Sequence, residues 1–122
     1  MSAVAIRSAA TFDEADLLDR LDGDLELLVD LAQTFLDQHG AQLAKLRASL
    51  DGGDLVALGK HAHGLKGGLL TLSATSSAHA IVLEDAAKHG QAEACSGAVR
   101  ALESELPKLA ADLQATIARL KA

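Results

Sequence analysis

The 122-residue chain has no tryptophan, no tyrosine, two phenylalanines, one cysteine and one proline. With Phe12 and Phe35 as its only aromatics it lacks the stacking platform used to hold nucleic acid, and its formal charge of -6 argues against a phosphate-neutralising basic surface. Nucleic acid is therefore excluded as a partner. Because Cys95 stands alone, no intrachain disulfide or multi-cysteine metal site can form, and a reducing, cytoplasmic compartment is the simpler expectation. No segment is apolar and uncharged over the ~20 residues that cross a bilayer. The opening Met1-Ser2-Ala3-Val4-Ala5-Ile6-Arg7-Ser8 also lacks the sustained apolar run of an export signal. These absences leave one small domain over residues 1–122, expected to be monomeric, with 1–10 as a loosely ordered N-terminal extension.

What is present is helical spacing. A cap at Thr11 introduces a short amphipathic segment bearing Leu17, Leu18 and Leu21, which stops at Gly23. Asp24 caps a long helix expected over about 24–50, with Leu28, Leu31, Phe35, Leu43, Leu46 and Leu50 on its apolar positions, and Asp51-Gly52-Gly53 ends it. Asp54 then caps a third helix with the most regular seam in the chain: Leu55, Leu58, Ala62, Leu65, Leu69 and Leu72. After the polar Ser73-Ala74-Thr75-Ser76-Ser77, a fourth helix carries Ala78, Ile81, Val82, Ala86 and Ala87 and ends near Gly90. The last segment runs from Val99 to Leu120 at helical spacing and reads as one bent helix with Pro107 inside it.

Strand signals are missing, since there is no period-two alternation and no Asn-Gly turn, and leucine and alanine outnumber the residues that sheets favour. The expected fold is all-α: an antiparallel, up-down four-helix bundle with a short additional N-terminal helix.

One stretch of the third helix carries chemistry. With Ala62 and Leu65 in the seam, His63 lies about 100° beyond Ala62, off the core stripe and on the face shared with Lys60, Lys66, Gly67 and Leu70. The imidazole is expected in solvent. Lys66, three residues on, can reach an anion held by His63, while Gly67, four residues on, leaves the approach uncovered. Glycine inside a helix costs about 0.5–1 kcal/mol relative to alanine. Of those near the histidine, Gly64 and Gly67 are assigned to partner docking and Gly68 to helix packing. His61 projects about 200° from His63, so the His-x-His spelling is no metal signal, and His39, His79 and His89 form no ligand pattern.

A neutral imidazole, with an unperturbed pKa of about 6.5, is a competent phosphoryl acceptor near neutral pH. Lys66 can offset the charge of the phosphoramidate formed, and Lys60 can assist from one turn away. Glu84 or Asp85 on the fourth helix can accept a hydrogen bond from the ring's other nitrogen and so select the tautomer. No phosphate-binding glycine loop and no metal-binding acidic cluster is spelled in the chain. It is expected to bind no cofactor of its own, so the phosphoryl donor, and any Mg²⁺, must come from a partner.

Ala62-His63-Gly64-Leu65-Lys66-Gly67-Gly68 resembles the Ala-His-x-Leu-Lys-Gly-small motif of histidine-containing phosphotransfer domains. Leu17-Leu18-Asp19-Arg20, Gly23-Asp24-Leu25-Glu26-Leu27-Leu28, Phe35, Gly53-Asp54 and Leu83-Glu84 resemble the family's flanking pattern in order and approximate spacing, from about residue 12 to 90. The resemblance implies His63 as phospho-acceptor, Lys66 as charge partner, Gly67 as clearance, and transfer between receiver-domain aspartates of a multistep phosphorelay. The partners implied are response-regulator receivers and a hybrid histidine kinase, with Mg²⁺ on the receiver. The Leu-Glu setting favours Glu84 over Asp85 as the ring's support. Leu70 departs from the family pattern and is expected to be exposed beside the site, either enlarging an apolar docking patch for the receiver or altering which receiver fits.

An exposed helical histidine is ordinarily only surface, and its Lys-Gly context is what raises His63 above that reading. Lys60 reads more simply as a solvated lysine, the other histidines as structural or surface residues, and the leucine stripes as core. Two other functional readings stay open: a non-catalytic bundle adaptor for a receiver or kinase, and a domain phosphorylated directly by a kinase catalytic domain. A chain of this length opening on Met1 is expected to be a free-standing carrier rather than an excised domain.

Overall fold

The structure, a computed structural model, describes residues 10–122. Of the N-terminal extension expected over 1–10, residues 1–9 lie outside the described residues. Five helices follow in order: α1 Glu14–Arg20, α2 Leu25–Asp51, α3 Leu55–Thr71, α4 Ser77–Lys88 and α5 Ala92–Lys121. Among the described residues the only extended pairing is one isolated antiparallel bridge between Phe12 and Ala74. The fold is an all-α helical bundle.

Three aspartates open helices by the same device. The carboxylates of Asp13, Asp24 and Asp54 each accept from an amide three residues on, that of Asp16, Leu27 and Ala57 respectively, all at 3.0 Å. The cap of α1 is thus Asp13 and not Thr11 as the sequence suggested. Thr11 is buried, its hydroxyl donates to Asp112 on α5 at 2.6 Å, and its carbonyl accepts from the Thr75 amide at 2.8 Å. Thr-Phe-Asp offers two candidate caps. The hydroxyl is taken by a carboxylate 101 positions away, leaving the helix end to the aspartate.

Short connections between consecutive helices force them antiparallel. Arg47 of α2 reaches Glu103 of α5, while Leu25 and Val29 at the other end of α2 share a groove with Leu120. His63 of α3 meets Glu84 of α4, and Val56 shares a groove with Lys88. Each helix from α2 to α5 packs on the next, and α5 closes the ring against α2. At the α3–α4 turn Ser73 takes a left-handed backbone, φ +56°. Its hydroxyl donates to Asp16 at 2.6 Å, and its carbonyl accepts from the Asp13 amide at 3.0 Å. These contacts hold a conformation that a non-glycine residue seldom adopts, and tie α1 across the end of the bundle.

The core is leucine-rich, with Leu17, Leu28, Leu46, Leu58, Leu69, Leu83, Leu102, Leu106, Leu109 and Leu113 fully buried. Helix α4 departs from the expected seam. Ile81 and Val82 are 47% and 53% exposed, and the buried stripe is Ala80, Leu83, Ala86 and Ala87. Apolar residues fall nearly all round this helix, so their spacing leaves its rotation open, and packing chooses the smaller alanines, which allow close approach to α3. Helix α5 runs unbroken through Pro107, which is exposed. The missing proline amide leaves the carbonyl of the residue four positions earlier without its usual helical donor.

Candidate functional site

His63 is placed in solvent by its neighbours. Ala62 and Leu65 are 0% and 2% exposed in the seam of α3, while the His63 side chain is 69% exposed. Its Nδ1 lies 2.8 Å from Oε2 of Glu84 on α4. Oε1 of the same carboxylate lies 2.7 Å from Lys66 Nζ. One glutamate therefore bridges the imidazole and the lysine that follows it by three residues.

The bridge sets the electrostatics. Glu84 is held below the ordinary carboxylate range, first by the hydrogen bond from Lys66 and then by that from His63, with desolvation opposing both. An ionised carboxylate only accepts, so the hydrogen between Glu84 and the neutral ring belongs to Nδ1. The ring's lone pair is left on Nε2, for which no hydrogen-bond partner is present among the described residues. A nucleophilic nitrogen thus faces solvent, with its tautomer fixed from behind.

The structure does not bring Asp85 to the ring. Its carboxylate is 69% exposed and lies 3.4 Å from His89 Nδ1 on its own helix. Glu84 and Asp85 differ by about 100° around α4, and the phase of the α3–α4 contact decides between them.

The glycines divide differently from the sequence reading. A methyl group built on Gly64, Gly67 or Gly68 would meet nothing within 4 Å, and all three are exposed. Gly68 is not a packing glycine. That part falls to Gly59, where an added Cβ would lie 3.5 Å from the Ala87 Cβ of α4. Leu70 is 45% exposed, two turns beyond His63, and Lys60 is exposed one turn before it.

Sequence reasoning missed a groove that opens beside the ring. About 490 Å³ in volume, it is lined by Val56, Gly59 and Lys60 of α3 and by Ala87 and Lys88 of α4, with His63 and Glu84 at one end. Its signal was available, since Val56 lies seven residues before His63 and Lys88 four after Glu84, but only the pairing of the two helices joins the sets. Among the described residues no group of three or more histidine, cysteine, aspartate or glutamate side chains is arranged to hold a metal ion. Among the described residues no helix is long and apolar enough to cross a membrane.

Comparisons with known proteins match the chain by family and by fold. A family model described as the Hpt domain matches residues 30–119. The crystal structure of histidine-containing phosphotransfer protein B (HptB) from Pseudomonas aeruginosa PAO1 is similar in fold, with a TM-score of 0.83 and 24% sequence identity over 91% of this chain and 97% of that chain. No curated protein matches the chain.

Proposed function

The chain belongs to the Hpt domain family and is a histidine phosphotransfer protein of a two-component phosphorelay, and we propose that His63 is the residue that carries its phosphoryl group. The observation that supports this assignment is a ring with Nδ1 bound to Glu84 and Nε2 open to solvent.

In this reading the Nε2 lone pair attacks the phosphorus of a receiver's aspartyl phosphate. An N–P bond forms, the P–O bond to the aspartate breaks, and the aspartate leaves as a carboxylate. The ring keeps its Nδ1 hydrogen and gains positive charge as the bond forms, which the Glu84 carboxylate opposes at 2.8 Å. Lys66 is poised one turn away, with its ammonium already positioned by Glu84, to offset the phosphoryl oxygens. In the second half of the relay a carboxylate of another receiver attacks the same phosphorus, and Nε2 departs with its lone pair. Open backbone at Gly64 and Gly67 lets the receiver's active site close over the ring. Any Mg²⁺ that the transfer requires is brought by the receiver. One phospho-acceptor per chain is sufficient, and the carrier acts as a monomer.

The test is incubation of the chain with phosphorylated receiver domains of its host. Wild type should acquire an acid-labile, base-stable label, and His63→Gln should remain unlabelled while keeping its helical circular dichroism and urea midpoint. Equal labelling of the two proteins would remove His63 from this role.

A further inference from the structure

The two sides of the imidazole are unlike. Toward the C-terminal end of α3, the nearby cation Lys66 is already committed to Glu84, and the surface is glycine backbone and Leu70. Toward the N-terminal end lies the groove of about 490 Å³. Gly59 and Ala87 face each other at its base, so its floor is made by two of the smallest residues. Its rim carries Val56, an aliphatic side chain 73% exposed, together with Lys60 and Lys88. Among the described residues no carboxylate lies within ion-pair distance of either lysine. In a chain of net charge -6 this has local causes: α3, Leu55–Thr71, contains no acidic residue beside Lys60, and the two carboxylates one turn before Lys88 are engaged elsewhere, Glu84 by Lys66 and His63 and Asp85 by His89.

A concave apolar floor between two uncommitted cations has a definite complement. Resting on the phosphocarrier reading above, we propose that this groove is the partner-selecting surface of the protein, and that it receives an apolar side chain of the receiver flanked by carboxylates that pair with Lys60 and Lys88. The insertion fixes the receiver's orientation, since the depression toward the C-terminal end of α3, lined by Phe35, Leu65, Gly68 and Thr71 between α2 and α3, holds only about 230 Å³ and carries no cation. Apolar burial supplies the anchor, and the two lysines supply encounter rate and discrimination among receivers.

The test separates docking from chemistry. Phosphoramidate, a small phosphoryl donor with no docking requirement, is used to label His63 directly, and transfer from the host receiver that labels wild type fastest is measured in parallel. Val56→Asp, and separately Lys88→Glu, should each raise the KM for the phosphorylated receiver at least tenfold. Their kcat should stay within about twofold of wild type, with labelling by phosphoramidate unchanged. The charge reversal at Lys88 should also flatten the salt dependence of transfer. Receiver kinetics equal to wild type in both variants would overturn the groove as the selecting surface, even with His63 labelled normally. If phosphoramidate fails to label wild-type His63, it is the phosphocarrier reading that fails. Concentration-dependent self-association of wild type that Val56→Asp abolishes, with receiver transfer unaltered, would assign the groove to a second copy of the chain and overturn the proposal.

Discussion

Two clusters join neighbouring helices of this bundle by similar contacts and end in opposite conditions. Between α2 and α5, Arg47 is shared by two carboxylates: it binds Glu103 in a two-pronged contact, with Nε 3.1 Å from Oε2, and lies 3.3 Å from Asp51. Between α3 and α4 the arrangement is inverted, with the single carboxylate of Glu84 shared by Lys66 and His63. The first cluster uses its groups on one another. Arg47 holds Glu103 below the ordinary carboxylate range, and Glu103, with a smaller effect from Asp51, pushes the guanidinium further from deprotonation. The second leaves one ring nitrogen unengaged on a side chain 69% exposed, against 38% for Arg47 and 34% for Glu103. Ion pairing between helices therefore does not by itself distinguish the proposed site. What distinguishes the proposed site is the ring nitrogen left over once the pairing is complete.

The contrast is broken most directly by exchanging which cluster is damaged. His63→Gln should abolish receiver-dependent labelling, and Glu103→Ala should leave the rate unchanged; a comparable loss in both variants would mean that the α2–α5 cluster also shapes the transfer. A smaller effect is expected inside the α3–α4 cluster. Lys66→Ala and Glu84→Gln should each slow transfer by roughly tenfold with little loss of fold. For Glu84→Gln, ¹⁵N shifts of the imidazole should also report loss of the Nδ1–H preference, a readout that a purely structural role would not move.

Stability should respond in the other direction. Arg47→Ala is expected to lower the urea midpoint by a small but measurable amount, because exposed pairs contribute little and only the two-pronged geometry raises this one. Lys66→Ala, which removes a single contact to Glu84 rather than a two-pronged one, should cost less. The smallest expected effect is a pH dependence. The folded-state pKa of Glu84 is lowered, so its contacts stabilise fully above the ordinary carboxylate value of 4.5 and lose that contribution as pH falls through the folded-state value. Any stability advantage of wild type over Glu84→Gln at pH 7 should therefore shrink below pH ~4. An advantage that is the same at both pH values would show that the ionised carboxylate is not its source.

Much of this was legible in the sequence because it rests on local chemistry. Asp24 and Asp54 precede apolar periodic runs and cap them as expected. The regular seam of α3 placed Ala62 and Leu65 inside and thereby His63 outside. Where local signals were degenerate, reading along the chain failed. Thr11 and Asp13 both look like caps, and the choice between them depends on Asp112, far away in the chain. Ile81 and Val82 are as apolar as the residues that fill the core, yet α4 turns its alanines inward. Gly59 and Gly68 are identical to a sequence reader, and only the position of Ala87 distinguishes them.

By itself the sequence determined five helices, the turns between them and the outward face that bears His63, because capping, glycine placement and a 3.6-residue period act within a few residues of chain. Tertiary structure alone decided that Glu84 rather than Asp85 meets the ring, that Lys66 shares that carboxylate, and that Val56 and Lys88 border one groove. Those outcomes depend on the rotation and register of α4 against α3. The side-chain packing that sets them brings together residues some twenty to thirty positions apart, a distance over which the pattern of one helix carries no information about the phase of the next.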